Sequence, residues 1–145
     1  MRLAEYTDYT LRVLMLCAAR AGERGTIADL AARLAVSKNH LMKIVNDLGR
    51  RGLLETTRGR GGGVRLRADP ASLRIGDIVR HCETDLRLVE CFDAAANVCT
   101  LTPRCRLKHL FGDALGAFLK TLDGATLADL VAPGPAPAGH RAAGG

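Results

Sequence analysis

The 145-residue chain has no tryptophan, and its aromatic content is only 3%. A core must therefore come from Leu, Val, Ile and Ala, a palette that suits packed helices. Long apolar runs are missing too: the stretch 11–19 is apolar, but Glu5, Asp8 and Arg12 break its flank. Neither a secretory leader nor a membrane-spanning helix is expected from such a pattern, and a cytoplasmic location follows. No paired carboxylates or nucleophile–base set stands out, so no enzymatic activity is expected. The cysteines, at 17, 82, 91, 99 and 105, include no Cys-x-x-Cys pair. Five is an odd number, and a reducing compartment disfavours structural disulfides, so metal or redox chemistry becomes the leading account of the clustered ones.

Hydrophobic residues make up 48% of the chain, enough for a core, and rule out broad disorder. The formal charge of +6 is unevenly spread, with a net +7 over residues 1–67 and −1 over 68–145. A field confined to one half suits a polyanion, because neutralising phosphates releases condensed counterions.

Apolar residues Leu11, Leu14, Met15 and Ala18 recur at helical spacing, with Thr7 as the expected N-cap and Gly22 and Gly25 as stops. Thr26 and Ser37 are read as caps of two shorter helices whose stripes are Ile27, Leu30, Ala31 and Leu34, then Leu41, Ile44, Val45 and Leu48. Two such helices across a tight turn read as a helix-turn-helix. Past Gly52 the period changes to that of strands, at 53–57 and 64–67. Between them runs Arg58-Gly59-Arg60-Gly61-Gly62-Gly63, a basic glycine-rich hairpin of the kind a DNA-binding wing requires. A nucleotide phosphate loop is excluded, since no helix opens after these glycines and no Lys-Ser/Thr pair follows. Asp69-Pro70 starts a turn, and Ser72 is read as the cap of a helix to about residue 83. An irregular loop is expected over 86–103. From Pro103 a long amphipathic helix runs to about Leu122, with the stripe Leu107, Leu110, Phe111, Ala114, Phe118, Leu119 and Leu122. The wing unit is too small to bury so long a stripe, so a second copy of the chain is its expected partner.

Cys91, Cys99 and Cys105 fall within fifteen residues, separated by seven and then five. Such spacing cannot lie on one helix face, so a loop must fold them together. Three converging thiolates suit an iron–sulfur cluster or zinc, and a thiol redox switch is the third possibility. Arg104, Arg106 and Lys108 supply cations around them. Cys17 reads as a small buried hydrophobe.

The chain resembles the Rrf family of winged-helix regulators over residues 1 to about 131, and within it the NsrR-type nitric-oxide-sensing repressors. The motifs that carry this are Thr7-Asp8-Tyr9, Val36-Ser37-Lys38-Asn39-His40-Leu41-Met42-Lys43-Ile44, the wing hairpin itself, Arg74-Ile75-Gly76-Asp77-Ile78-Val79, Thr102-Pro103-Arg104-Cys105-Arg106-Leu107-Lys108 and Thr126-Leu127-Ala128-Asp129-Leu130. The resemblance implies a mainly α fold with a small β wing, a winged helix-turn-helix followed by a long C-terminal dimerisation helix. It implies a homodimer, with a [4Fe–4S] cluster held by Cys91, Cys99 and Cys105 and by Asp8 from the partner chain. A [2Fe–2S] cluster is the alternative. Where IscR-type regulators place a histidine ligand this chain has Lys108, and His109 comes one residue late. Asp8 can also serve simply as a carboxylate at a helix N-terminus.

The same resemblance places Ser37, Lys38, Asn39, His40 and Lys43 against base edges in operator DNA, with Arg58 and Arg60 at the minor groove. Residues 1–68 then form the winged helix-turn-helix, 69–102 a connecting helix and cluster-binding loop, 103–131 the dimerisation helix and C-terminal segment, and 132–145 a disordered tail. The expected function is nitric-oxide-sensing, cluster-dependent transcriptional repression, in which attack on the cluster moves the loop and first helix and releases DNA. The alternatives are an iron–sulfur or iron-status regulator of the same fold and, from another class, a small redox or electron-transfer protein, which leaves the basic wing unexplained.

Overall fold

A computed structural model describes residues 2–101 and 104–133. Pro103, and residues 134–145 of the expected tail, lie outside them. Among these residues six α-helices and one two-stranded antiparallel sheet follow in the order α1 (Glu5–Ala19), α2 (Ile27–Leu34), α3 (Lys38–Arg50), β1 (Leu54–Thr57), β2 (Gly63–Leu66), α4 (Ile75–Cys82), α5 (Arg106–Asp123) and α6 (Leu127–Val131). The mainly α fold with a β wing is thus as expected.

The core joins Val13, Leu14 and Cys17 of α1 to Leu30, to Leu41, Ile44 and Leu48, to Val64 in the wing, to Val79 and to Leu127. These are aliphatic side chains interdigitating from five helices and the sheet, as the near-absence of aromatics requires. Leu127 is fully enclosed, and α6 packs back against α1. A capping box starts α6: Thr126 accepts from the Asp129 backbone, while the Asp129 carboxylate accepts from Thr126.

Two expected caps are corrected. Thr7 does not start α1; it is the third residue of the helix, fully buried, with no hydrogen-bond partner for its hydroxyl among the described residues. The helix begins instead after Ala4, whose N–H donates to Glu83 Oε1 at 2.7 Å. A carboxylate 79 residues away supplies what a local cap would, and it comes from just past α4. Ser72 is not the cap of α4 either. It lies in a 3-10 turn over Pro70–Ser72, and its hydroxyl donates to the Asp69 carbonyl at 2.7 Å. The first N–H of α4, at Ile75, donates to the Ala125 carbonyl at 3.0 Å instead, in a short bridge between Arg74 and Thr126.

Candidate nucleic-acid interface and cysteine segment

The helix-turn-helix forms where its caps were expected. Thr26 Oγ1 accepts from the Asp29 N–H at 3.0 Å, and Ser37 Oγ accepts from the His40 N–H at 3.2 Å. Between the helices the chain turns through Ala35 in the left-handed region (φ 53°). The inner face of α3 is buried through Leu41, Ile44, Val45 and Leu48. Lys38, Asn39, Met42, Lys43, Asn46 and Arg50 are exposed, and from Asn39 onward they fall at three- to four-residue steps along one face. Of the predicted reading residues, Lys38, Asn39 and Lys43 therefore face outward, while the Ser37 oxygen is engaged at the helix start. His40 is half-buried and turned onto Tyr9. Asn46 and Arg50, outside the predicted set, share this exposed face, and extending the same spacing would have marked them.

In the wing, β1 and β2 pair from Leu54↔Leu66 to Thr57↔Gly63. Gly59 (φ 89°) and Gly61 (φ 70°) occupy backbone conformations that side chains disfavour. At Gly62 a Cβ would lie 2.3 Å from the Thr57 carbonyl oxygen. The hairpin is fixed to the head by reciprocal backbone bonds between Gly25 and Val64, at 2.9 and 2.8 Å. Arg58 and Arg60 are exposed at its tip, as expected of wing cations. Glu55 accepts from Arg65 and from Arg24, each at 2.7 Å, and these partners hold its carboxyl below the usual range.

Cys91 lies half-buried in a 3-10 turn over Glu90–Phe92, Cys99 is exposed, and Cys105 is the residue before α5. All five cysteines are free thiols. The segment is tied internally: Arg87 grips Asp85 and Asp93, the Glu90 carboxylate accepts from the Val98 N–H at 2.9 Å, and Asn97 Oδ1 accepts from the Cys99 N–H at 3.0 Å. The Glu90–Val98 bond links the neighbours of Cys91 and Cys99. Asp85 is held down to about 2 by the Arg87 guanidinium.

In kind, this donor set fits a soft metal group. It offers three free thiols on one accessible segment, one of them at the start of α5, which has no side-chain cap among the described residues. Among the described residues, no three His, Cys, Asp or Glu side chains are gathered closely enough to hold a metal ion. Closure of the segment on its ligand would have to complete the convergence.

Asp8 lies in the first turn of α1, where its carboxylate pairs with Arg12 at 2.8 Å. The Arg12 guanidinium also stands 5.7 Å from the centre of the Tyr9 ring, a cation–π contact. Tyr9 in turn meets His40 on α3. Behind the recognition helix, Tyr6 donates a short hydrogen bond to Asp47, which also accepts from Arg51 at 2.9 Å. Burial, followed by the Asp47 carboxylate, pushes Tyr6 up to about 12, and the Tyr6 bond pulls Asp47 below the usual carboxylate range.

Cys17 is buried, and burial raises its thiol to about 11. Cys82 is half-buried at the end of α4 and is also raised by burial; the Thr10 hydroxyl lies beside it without meeting the geometry of a full hydrogen bond. Among the described residues no helix is long and apolar enough to cross a membrane.

A capped second helix with a polar, cationic outer face, set beside a basic two-stranded wing, defines a winged-helix DNA-binding protein. Residues 3–133 match the Rrf2 family of iron-dependent transcriptional regulators, and the chain belongs to that family. It is 52% identical over 132 residues to the HTH-type transcriptional regulator NsrR of Bacillus subtilis (strain 168), covering 90% of each chain. Identity and coverage are the same with the NsrR of Geobacillus kaustophilus (strain HTA426). Among solved structures, CymR (YrzC), the global cysteine regulator of B. subtilis, superposes with a TM-score of 0.71 at 25% identity, over 90% of this chain and 96% of that one. T. potens IscR shares the fold, with a TM-score of 0.70 at 21% identity over 90% and 86% of the two chains. The protein is thus a transcriptional regulator acting on DNA, and not an enzyme.

Proposed function

We propose that the chain is a homodimeric repressor in which Cys91, Cys99 and Cys105, with Asp8 of a partner protomer, hold a [4Fe–4S] cluster and make DNA binding responsive to nitric oxide. The observation that carries the reading is a set of three free thiols on the segment that leads into α5, with Cys105 at its root; α5 is an 18-residue amphipathic helix with no buried residue. Leu107 and Leu110 are 55% and 62% exposed. A stripe of that length left in water would forfeit several kcal/mol, at roughly 25 cal/mol per Å² of apolar surface, so a second copy laid along α5 is its natural cover. The NsrR-named relatives support the choice of subgroup.

The cluster would supply iron able to take a small diatomic molecule, with the thiolates of Cys91, Cys99 and Cys105 as its soft ligands and the Asp8 carboxylate as the hard, weaker and more readily displaced one. The chain's own part is to position and to couple. Glu90 and Asn97 hold the segment bearing Cys91 and Cys99, and Arg104, Arg106 and Lys108 place positive charge beside Cys105. Asp8 draws on Arg12, which contacts Tyr9, which contacts the recognition helix. Release of Asp8 from a partner's thiolate site would let it return to Arg12 and change how α1 bears on α3.

Purification without air, followed by native mass spectrometry and a mobility-shift assay with and without nitric oxide, tests the proposal. Dimers carrying four irons and four sulfides per protomer, with DNA binding abolished by nitric oxide exposure, are expected. Iron-free protein that grips its DNA equally well would overturn it.

A further inference from the structure

Apart from Arg2, the arginines of the DNA-binding half sort into two sets. Arg12, Arg20, Arg24, Arg33, Arg51 and Arg65 each pair with an acid. Arg50, Arg58, Arg60 and Arg67 are exposed and form no ion pair among the described residues, although Arg50 helps to lower the Asp47 carboxyl. Three of these four converge: a cleft of about 570 Å³ between the second half of α3 and the wing is lined by Asn46, Arg50, Glu55, Arg58 and Arg67, over a floor that includes Val45 and Leu54. Unpaired guanidiniums repel one another and gain most from a shared anion, which their planar forks bind in two-point fashion.

We propose that this cleft grips the sugar–phosphate backbone of DNA through Arg50, Arg58 and Arg67, and that Asn46, on the same helix face as Asn39 and Lys43, reaches the adjoining base edge. The proposal rests on the DNA-binding reading and adds Arg50, Arg67 and Asn46 to the DNA-facing residues expected from the sequence. The cleft lies at the C-terminal end of α3, where backbone carbonyls point outward and the helix dipole disfavours an anion. The grip must therefore come from side chains, and the structure supplies three of them.

Glu55 is the apparent contradiction, since a carboxylate in a phosphate cleft repels its ligand. It is held by two guanidiniums, Arg24 and Arg65, neither of which lines the cleft. The pair cancels its charge toward phosphate. Glu55 in turn keeps Arg24 and Arg65 from adding to the grip. It thus limits non-specific attraction, which depends on how many phosphates the protein neutralises.

The test uses the full chain, purified without air, and two labelled duplexes: one enriched from a random pool by the wild-type protein, and one scrambled. Arg50→Gln and Arg67→Gln should each weaken both duplexes by a similar factor, about tenfold, and make the dependence of log K on log salt shallower by about 0.9 for each phosphate no longer neutralised. Arg50→Lys should restore the salt dependence. Asn46→Ala should weaken only the enriched duplex. Glu55→Gln should tighten both duplexes several-fold and reduce discrimination between them. Unaltered salt dependence in Arg50→Gln and Arg67→Gln, beside normal wild-type binding, overturns the cleft assignment and leaves the DNA-binding reading intact. A wild-type chain that enriches no duplex defeats that reading as well. Inorganic phosphate at matched ionic strength should compete no better than chloride; saturable phosphate binding that disappears in Arg67→Gln would assign the cleft to a small anion instead. Both arginines are exposed and form no ion pair among the described residues, so nearly unchanged thermal melting is expected of their variants.

Discussion

Tyr9 and His40 meet edge to face, their ring centroids 5.4 Å apart and their planes inclined at 72°. The contact joins the first helix to the opening turn of the recognition helix, one residue along from Asp8. His40 has no other polar anchor for its ring: its Nε2 is enclosed and makes no hydrogen bond among the described residues. Tyr9→Leu removes the aromatic pair, worth about 1 kcal/mol beyond the area it buries. Urea denaturation should show that loss. The affinity for the enriched duplex should fall as well, whereas a variant that lowers stability alone would disconnect Tyr9 from DNA reading.

The Tyr6–Asp47 bond gives stability a signature in alkali. Tyr6 titrates near 12 in the folded protein against an ordinary 10, so the folded state keeps this proton where the unfolded state has lost it. Its contribution is whole below pH 10 and disappears as pH rises through 12. Melting temperatures at pH 9 and 11 should fall more steeply for wild type than for Tyr6→Phe. Asp47 runs the other way: its depressed carboxyl contributes above the ordinary carboxylate range and loses that contribution as acid protonates it.

Thr7 carries a hydroxyl sealed inside the head without a partner among the described residues. A buried polar group of that kind costs about 1–3 kcal/mol. Thr7→Val keeps the shape and removes the cost, so chemical denaturation should report a gain of about 1 kcal/mol. Destabilisation instead would mean that the hydroxyl is satisfied in the assembled protein.

Gly62 admits no side chain, because the close approach at 2.3 Å is to backbone. Gly62→Ala should distort the wing tip while sparing the helical core. Circular dichroism should stay close to wild type, and affinity for both duplexes should fall by tenfold or more.

Leu110 stands in the middle of the uncovered α5 stripe. Leu110→Glu should convert dimers to monomers in analytical ultracentrifugation and leave the head folded, since Leu110 forms no part of the core. A Leu110→Glu protein that remains dimeric would place the subunit interface elsewhere.

The head was legible where its signals are local. Ser37 and Thr26 cap the helices they precede, and the buried stripe of α3 is the one its periodicity marked. The wing followed from a change of period and a run of glycines. The failures share one physical cause, which is that the partner lies far away in sequence. Thr7 looks like a cap, but α1 starts from Ala4, whose N–H is taken by Glu83. Ser72 looks like a cap, but the start of α4 is satisfied by the carbonyl of Ala125. The bridge from Gly25 to Val64 that seats the wing has no local signal. In the cysteine segment, spacing singled out the candidate donors, but the Glu90–Val98 tie that links the neighbours of two of them depends on loop conformation.

The anchoring of α5 at its far end has a mechanical consequence. Arg80 clasps Asp123 through two bonds, at 2.6 and 2.7 Å, Arg74 donates to the Asp123 carbonyl, and Leu127 seats the next turn in the core. An 18-residue helix measures about 27 Å, and one so clamped to its own head behaves as a stiff arm. Two copies joined along such arms would act as a caliper whose gauge is set by helix length and crossing angle, so that inserting or deleting a base pair between half-sites would be penalised at once.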